Sequence, residues 1–504
     1  MKGLFKAIIL SALIVTSAKA DVIPNTLFSN NGVLQRGVIV PVWGKARDGE
    51  KIEIDFAGQH VRTIAKDGKW MVKLSPLKAG GPYTMTIKGD NTVTLNNILI
   101  GEVWLCSGQS NMEFWIGKLA PKNIAETLKD AQQYPQIRQY LVPEHFYTAI
   151  PDPVDDAGGA WAVSDSTSAK KFSAVAFFFA KALYQRLKVP IGLINSSYGG
   201  TPIENWTSPK TLDSVPGLKE VMVKYENALK TYPERLKYFD DHKIELKKQY
   251  SIDSQATVKA KTWLPTPPIR PAHPADRGGP GGLYNAMIAP LIPYAVKGVL
   301  WYQGEANAGH GVLYRRMFPA MINNWRTAWQ RPNLPFYFVQ LPGWKELDPV
   351  LREAQLLTWQ HTPNTGMAVI TDLDDTVSVH PLNKQPVGQR LCLIARALTY
   401  HDKIEYSGPV YKSMRLQGNK VILSFTHANG LKAKGGELKD FIIAGNDKRF
   451  VSAKAEIKGD EVVVYSSQVI RPTAVRMGWR NCPQVNLYNR DGLPATAFRT
   501  DFTP

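Results

Sequence analysis

The chain has 504 residues, of which 44% are hydrophobic and 21% are charged, and this composition is typical of a soluble globular protein. Its length argues against a single compact core and predicts two or three domains. The formal net charge is +18, but the basic residues are scattered among acidic ones and no nucleic-acid-binding motif accompanies them. We therefore expect a solvated basic surface and no nucleic acid as a partner.

The first twenty residues have the pattern of a secretory signal peptide. Met1–Lys6 is positively charged, Ala7–Val15 is apolar, and Ser17–Ala20 ends in small residues, so cleavage is expected after Ala20. No later stretch approaches the ~18 apolar residues that a transmembrane helix needs. The sequence therefore predicts a secreted or periplasmic protein without a membrane span.

The region 21–97 is predicted to be a small β-sandwich. Short alternating runs such as KIEIDFAG and KWMVKLS are separated by turns rich in Gly, Asp, Lys and Pro. No set of residues in this region is typical of a catalytic or binding site. We therefore expect an accessory domain.

The region 98–404 has a different pattern, in which buried strands alternate with helices. AVAFFFAKALYQRLK is helical and VPIGLINSSYGG is a strand that ends in glycines, and the alternation continues to a last helix in KQPVGQRLCLIARALTYH. This order predicts an α/β domain with a parallel sheet and helices on both faces. The stretch 214–262 is expected to be a helical insertion.

The region 405–504 returns to a β pattern. MRLQGNKVILSFTH and the strands after it predict a second sandwich-like unit, with an irregular tail that packs back against the rest of the chain. The three cysteines allow one disulfide at most, and no Cys or His spacing is typical of zinc. The sequence therefore predicts no metal site.

Polar residues follow four of the predicted strands in the α/β region. The motifs are GQSN at 108–111, SSYGGTPIENW at 196–206, WYQGEAN at 301–307, and an acidic stretch that leads to His380. Each alone is explained by a turn. In open α/β sheets, however, functional groups gather at the carboxyl ends of the strands. We therefore expect these four segments to meet.

Together they supply the parts of an acyl-transfer site. A serine hydroxyl needs a base to take its proton, and Ser110 and His380 are of the right types. The oxyanion of the tetrahedral intermediate needs preorganised donors, which the second and third segments could provide. A carboxylate or a carbonyl must orient the imidazole.

Five motifs in this order resemble the sialate O-acetylesterase family of the SGNH hydrolase fold. They are GEVWLCSGQSNM, SSYGGTPIENW, WYQGEAN, LREAQ and HPLNKQPVGQRL, and the tail NLYNRDGLPATAFRTD is similar to that family too. The resemblance implies a flavodoxin-like parallel sheet with the nucleophilic serine after its first strand. It also implies an esterase that removes O-acetyl groups from carbohydrates and needs no cofactor.

The same resemblance assigns roles to individual residues. Ser110 would be the nucleophile and His380 the general base. The oxyanion donors would be the backbone N–H groups of Ser110 and Gly200 and the side-chain amide of Gln303. Residues expected to hold the surrounding loops in shape are Asn111, Glu204, Glu305 and Asn307.

The acid of the triad departs from the family pattern. SGNH enzymes place an aspartate three residues before the histidine, where this chain has Val377. The nearby acids are Asp372, Asp374 and Asp375. Either an aspartate, with Asp375 favoured over Asp372, reaches His380, or a backbone carbonyl orients the ring in a Ser–His dyad. A degraded active site is a further alternative.

Several functions agree with this sequence. The first is a secreted serine esterase acting on O-acetylated sialic acid through an acyl-enzyme, and the second is an acetyl xylan esterase. A non-catalytic glycan-binding protein would use the two β regions instead. A lipase or peptidase is disfavoured because the chain lacks a G-x-S-x-G elbow. Aromatic residues that would either stack on sugar rings or pack in the core are Trp115, Trp206, Trp301 and Trp344.

Overall fold

The computed structural model describes residues 21–144, 152–260, 265–373 and 378–501. The predicted signal peptide and two of the candidate acids, Asp374 and Asp375, lie outside the described residues.

The N-terminal region consists of short β-strands, as predicted. One antiparallel sheet has the order β1-β3-β6, and in the second β4 pairs with β5 and β7, and β7 pairs with β8. Side chains alternate between buried and exposed along β4 and β6, so one face of each strand lies in the core. The strands are β1 (Ile23–Pro24), β2 (Val33–Gln35), β3 (Val40–Lys45), β4 (Lys51–Phe56), β5 (Gln59–Ile64), β6 (Lys69–Leu74), β7 (Gly80–Lys88) and β8 (Thr92–Gly108).

Strand β8 joins the N-terminal strands to the α/β region. Its first half pairs with β7, and its second half lies between two strands of a parallel sheet. The predicted domain boundary at residue 97 falls inside this strand. One continuous hydrophobic core runs from Val22 to Val410. The two regions therefore share a strand and a core.

The central sheet has the order β10-β9-β11-β8-β12-β13-β14. All neighbours are parallel except β10, which is antiparallel to β9. Strands β11 to β14 are buried along their whole length, as expected for a parallel sheet covered on both faces. The further strands are β9 (Ile137–Leu141), β10 (Ala160–Val163), β11 (Ile191–Ser197), β12 (Gly298–Tyr302), β13 (Phe336–Gln340) and β14 (Thr365–Val369).

Helices cover both faces of the sheet, which confirms the predicted α/β class. The chain runs from β8 through α3 to β11 on one side, and from β12 through α6 and α7 towards β14 on the other. Right-handed crossovers in opposite directions place α3 and α6 on opposite faces. Helix α8 then packs on α3, while α7 packs on α6. The helices are α1 (Ser110–Glu113), α2 (Pro121–Ala131), α3 (Ala174–Leu187), α4 (Pro209–Ser214), α5 (Lys219–Ala260), α6 (Gly311–Ala328), α7 (Pro349–His361) and α8 (Gln385–Leu398).

The predicted helical insertion is mainly the 42-residue helix α5, which is about 63 Å long at 1.5 Å per residue. The proline-rich segment after it runs back along the helix. Arg270 lies 3.6 Å from Asp240, and the rings of His273 and Tyr232 lie 4.7 Å apart. None of the helices in the described ranges is long and apolar enough to cross a membrane.

The C-terminal region has a hydrophobic core of its own, built from residues 421–498. Its main sheets have the orders β15-β16-β21-β20 and β19-β18-β22-β24. The tail packs back as predicted, since Arg499 donates two hydrogen bonds to Glu353 of α7. The strands are β15 (Val410–Gln417), β16 (Lys420–Thr426), β17 (Lys432–Ala433), β18 (Phe441–Ala444), β19 (Val451–Ser452), β20 (Lys454–Lys458), β21 (Glu461–Tyr465), β22 (Ala474–Met477), β23 (Leu487–Tyr488) and β24 (Phe498–Arg499).

Candidate active site

The candidate site lies where the strand order of the central sheet reverses. From β8 the chain moves to β11 on one side, whereas the later strands extend from β12 on the other. At such a point the segments that follow two adjacent strands diverge and leave a crevice at their carboxyl ends. Ser110 follows β8, and Gln303 to Asn307 follow β12.

A tight turn presents Ser110 at this crevice. Gly108 has φ +138°, and a Cβ at this position would lie 2.1 Å from the carbonyl oxygen of Tyr302, so only glycine fits. The N–H of Gln109 donates to the same carbonyl at 3.1 Å. Ser110 then begins helix α1, where its own N–H has no acceptor within the helix.

The structure brings Ser110 and His380 into direct contact. His380 Nε2 lies 2.7 Å from Ser110 Oγ, a hydrogen bond between residues 270 positions apart in the chain. The pKa of His380 is lowered by burial and, to a smaller degree, by the cations of Lys384 and Lys118. A neutral imidazole in this position can take the serine proton, which is what a general base must do.

Of the three candidate acids, the structure describes only Asp372. Asp372 is held by Arg390 of α8 through two hydrogen bonds of 2.6 and 2.7 Å. No hydrogen bond joins it to His380 among the described residues. Asp375 lies outside those residues, and its role stays a prediction.

Two backbone groups lie on the other side of Ser110. The turn after β11 touches the serine, because a Cβ built at Gly199 would lie 3.4 Å from Ser110 Cβ. The next residue, Gly200, has φ +67°. The turn that contains Gly200 therefore lies next to Ser110, and the predicted donation by the Gly200 N–H stays a prediction.

Gln303 is fully buried, and both hydrogens of its amide already have acceptors. Its Nε2 donates to the Thr201 carbonyl at 3.2 Å and to Asn307 Oδ1 at 2.7 Å, while its Oε1 accepts from Tyr314 at 3.0 Å. The predicted donation to an oxyanion stays a prediction. It requires Gln303 to give up one of these acceptors when substrate binds.

Asn307 links the loops after β11 and β12. Its Oδ1 accepts from the N–H of Ile203 at 2.9 Å, and its Nδ2 donates to Glu204 Oε2 at 2.9 Å. From the β8 side, Gln109 Oε1 accepts from the Ala306 N–H at 3.2 Å. These contacts give Asn307 and Glu204 positions that agree with their predicted part in shaping the loops.

Asn111 and Glu305, also expected to support the site, are in contact with each other. Asn111 Nδ2 donates to Glu305 Oε1 at 2.5 Å and to the Val379 carbonyl at 2.9 Å. Asn111 Oδ1 accepts from Lys384, a residue that our sequence analysis did not single out. A signal was available, because Lys384 caps the N-terminus of α8, where a positive charge opposes the helix dipole.

The four candidate aromatic residues divide into two groups. Trp206 and Trp301 are fully buried and pack against each other, with ring centroids 5.9 Å apart, so they are core residues and not sugar platforms. Trp115 and Trp344 are partly exposed. Lys118 lies over the Trp115 ring at 4.6 Å.

The described ranges hold no group of three or more His, Cys, Asp or Glu side chains that could bind a metal ion. Cys106, Cys392 and Cys482 are free, and the first two are buried.

The segments that form this site lie within the range of the chain that matches a known protein family. A family model described as carbohydrate esterase, sialic acid-specific acetylesterase, matches residues 100–244 and 272–392. The chain belongs to this family. The resemblance identified from the five motifs is thereby confirmed, and the protein is a carboxylic ester hydrolase of the carbohydrate esterase group.

Relatives in mammals support the same conclusion. The chain is 30% identical to the sialate O-acetylesterase of Rattus norvegicus, with 92% of this chain and 91% of the rat protein aligned. It is 31% identical to the sialate O-acetylesterase of Homo sapiens, with 82% and 78% aligned. The likeness to this esterase family therefore reaches well beyond the α/β region.

A solved structure of similar architecture comes from Xanthomonas citri and is described as a carbohydrate acetylesterase. It superimposes with a TM-score of 0.80 at 35% identity and covers 96% of this chain and 100% of its own. The arrangement of β regions around an esterase sheet is therefore shared with another carbohydrate esterase.

Proposed function

We propose that this protein is a serine esterase that removes O-acetyl groups from carbohydrates through an acyl-enzyme intermediate. The observation that carries the proposal is the 2.7 Å contact between His380 Nε2 and Ser110 Oγ at the topological switch point of the sheet. A glycan-binding protein would not need a serine and a neutral histidine in this geometry.

In the first step Ser110 Oγ attacks the acetyl carbonyl carbon while its proton moves to His380 Nε2. The C–O bond to the sugar then breaks, and His380 returns the proton to the sugar oxygen. A water molecule, activated by the same imidazole, attacks the acetyl-enzyme, and acetate leaves as Ser110 Oγ regains a proton.

The tetrahedral intermediates carry a negative oxygen that needs donors. The proposed donors are the N–H groups of Ser110 and Gly200 and the amide of Gln303. Removing one such donor typically costs about 10²–10³ in kcat. Gln303 can join this set only if one of its present acceptors, Thr201 or Asn307, is first replaced.

For the third residue of the triad we propose Asp375. The pairing of Asp372 with Arg390 supports this choice, because that carboxylate already has a cationic partner. The alternative is a Ser110–His380 dyad whose imidazole is oriented by a backbone carbonyl.

We also propose that the fold is of the SGNH, flavodoxin-like type. In its support, the strands β11-β8-β12-β13-β14 follow the order 2-1-3-4-5 of flavodoxin-like sheets, with β9 and β10 added beyond β11. The regions 21–97 and 405–504 would be sandwich-like units beside the catalytic region 98–404. The signal peptide 1–20 would direct the protein out of the cytoplasm.

For the substrate we propose O-acetylated sialic acid first, because the mammalian relatives are named sialate O-acetylesterases. Acetylated xylan or another plant polysaccharide is the second candidate, since the relative from Xanthomonas citri is described more broadly as a carbohydrate acetylesterase.

Acetate release tests both parts of the proposal. Wild-type protein and Ser110→Ala are incubated with O-acetylated sialic acid, with acetylated xylan and with p-nitrophenyl acetate. We expect the wild type to release acetate fastest from the sialic acid, and Ser110→Ala to be inactive on all three. Equal activity of the two proteins on p-nitrophenyl acetate would refute the serine mechanism, whereas a preference for xylan would correct only the substrate.

A further inference from the structure

Lys384 is a buried cation beside the catalytic pair. Only 1% of it is exposed, and its ammonium group lies over the rings of Phe114 at 4.8 Å and Tyr302 at 5.4 Å. It stands at the N-terminal cap of α8, where the helix dipole disfavours a positive charge. Burying an ammonium group costs several kcal/mol unless partners compensate it. Its presence therefore needs a compensating contact.

The hydrogen-bond partner of Lys384 is Asn111, which connects both catalytic residues. Lys384 Nζ donates to Asn111 Oδ1, and Asn111 Nδ2 donates to the Val379 carbonyl at 2.9 Å. Asn111 follows Ser110 in the chain and Val379 precedes His380. One side-chain amide therefore joins the backbone next to the nucleophile to the backbone next to the base.

Glu305 is the third member of a buried group formed by Lys384, Asn111 and Glu305. Its Oε1 accepts from Asn111, and its Oε2 is buried without a hydrogen-bond partner in the part of the chain that the structure describes. Burial raises the pKa of Glu305, and burial lowers the pKa of Lys384 to about 7, an effect that Glu305 opposes. Each charge thus favours the charged form of the other across the Asn111 amide.

We propose that Lys384 is a positioning residue for the esterase reaction, and that it acts through Asn111 and Val379 to hold His380 against Ser110. This inference rests on the proposed function. A second hydrogen bond of the same backbone, from the His380 N–H to Ser378 Oγ at 3.1 Å, lies within the loop itself. Asn111 therefore links this loop to the end of β8.

The charged groups around Lys384 determine the pH effect to be expected. Glu305 and His380 both interact electrostatically with it, and Lys118 is a second cation that acts on His380. Behind it, a cavity of about 330 Å³ is lined by Lys384 together with charged residues of α2 and α3. These are Glu126, Lys129, Asp130 and Lys181. Among all of them, Lys384 is the cation that acts most strongly on His380.

Steady-state kinetics of Lys384→Met on p-nitrophenyl acetate, from about pH 5 to about pH 9, test the proposal. We expect kcat to fall on the order of 100-fold, as for a misplaced catalytic group, with KM nearly unchanged. The acid limb of the pH profile should also move to higher pH, because the imidazole loses a nearby cation that lowers its pKa. Loss of packing alone would not move that limb.

Lys181→Met is the matched control. Lys181 lines the same cavity and is half-buried, but it pairs with Asp130 of α2 and not with Asn111. We expect its kcat and its acid limb to match those of the wild type. If Lys181→Met lost as much kcat as Lys384→Met, the loss would come from changing the lining of the cavity and not from breaking the contact with Asn111.

Further variants separate charge from hydrogen bonding and from folding. Lys384→Gln keeps a donor for Asn111 without the charge, so it should retain more kcat than Lys384→Met and show the same shift of the acid limb. This variant also carries the test if thermal melting shows that Lys384→Met does not fold. The double variant that combines Lys384→Met with Glu305→Gln should lose no more kcat than the worse of the two single variants, since the two residues act as one unit.

The proposal is overturned if Lys384→Met and Lys384→Gln keep kcat within about threefold of the wild type and leave the acid limb in place. In that event an inactive Ser110→Ala would still support the esterase itself. An active Ser110→Ala would instead remove the proposed function, whatever Lys384 does.

Discussion

Two halves of the site are built in different ways. The strand-end half comprises Ser110, the Gly199–Gly200 turn and the loop from Gln303 to Asn307, all directly after parallel strands. Their strands are paired in register, with Ser107 opposite Trp301 and Gly108 opposite Tyr302. The histidine loop, residues 378–384, leads into α8 and contains no helix or strand.

The anchoring of the two halves differs accordingly. The strand-end half is fixed by sheet hydrogen bonds and by buried amides such as Gln303 and Asn307. The histidine loop is tied to the sheet by side chains, chiefly Asn111 and Lys384. Polar side-chain contacts contribute about 1 kcal/mol each, less than a buried strand does. We therefore expect changes in the strand-end half to affect stability and activity together, and changes in the histidine loop to affect activity alone.

The largest effect is expected for His380→Ala. Without the base, kcat should fall by about 10⁴-fold or more, as for other serine hydrolases. The melting temperature should stay close to that of the wild type, because His380 is only half-buried. Kinetics and a thermal melt measure both, with the exposed His361 of α7, changed to Ala, as the control. A large loss of stability would contradict the distinction between the halves.

The next largest effect is expected for Asp375→Ala, which should lower kcat by orders of magnitude if the triad is complete. Asp372→Ala is its counterpart and should mainly lower the melting temperature, because it leaves Arg390 half-buried without its carboxylate partner. Measuring kcat and melting temperature for both variants distinguishes the roles. A change of only a few-fold in kcat for Asp375→Ala would support the Ser110–His380 dyad.

Asn307→Ala tests the strand-end half. The change leaves the Ile203 N–H and one hydrogen of the Gln303 amide without their acceptor, which should cost about 1–3 kcal/mol of unfolding free energy. We also expect kcat/KM to fall by about 10- to 100-fold, because Gln303, a proposed oxyanion donor, loses the contact that fixes the orientation of its amide. Denaturant unfolding and kinetics measure the two effects. Asn323→Ala on the exposed face of α6 should change neither.

The smallest expected effect is a shift in the pH dependence of activity. Activity requires neutral His380 and is lost as the pH falls through its pKa, which burial and nearby cations lower. The acid limb of kcat/KM should therefore lie below about pH 6.5, the ordinary value for histidine. Lys118→Met should move the limb upward by a few tenths of a pH unit, because this half-exposed cation is screened by solvent. A limb above pH 6.5 in the wild type would contradict a lowered pKa of His380.

Much of the fold followed from local patterns. The helix predicted at 174–188 is α3, and the strand predicted in PFYFVQLPGW is β13. Periodicity reports which face of a segment is buried, and burial is what stabilises it. The continuity of β8 through residue 97 was not predictable in this way, because a strand gives the same alternation whether its neighbours belong to one sheet or two.

The sequence by itself determined which residues stand at the strand ends, and the family motifs singled out Ser110 and His380 as the proposed nucleophile and base. Only the tertiary structure decided which side chains meet. Asp372 turned out to face Arg390, Gln303 to face Asn307, and Lys384 to reach Asn111, 273 residues away in the chain. Side-chain partners at such separations leave no periodic signal, because their contact depends on how the strands order themselves in the sheet and not on spacing along the chain.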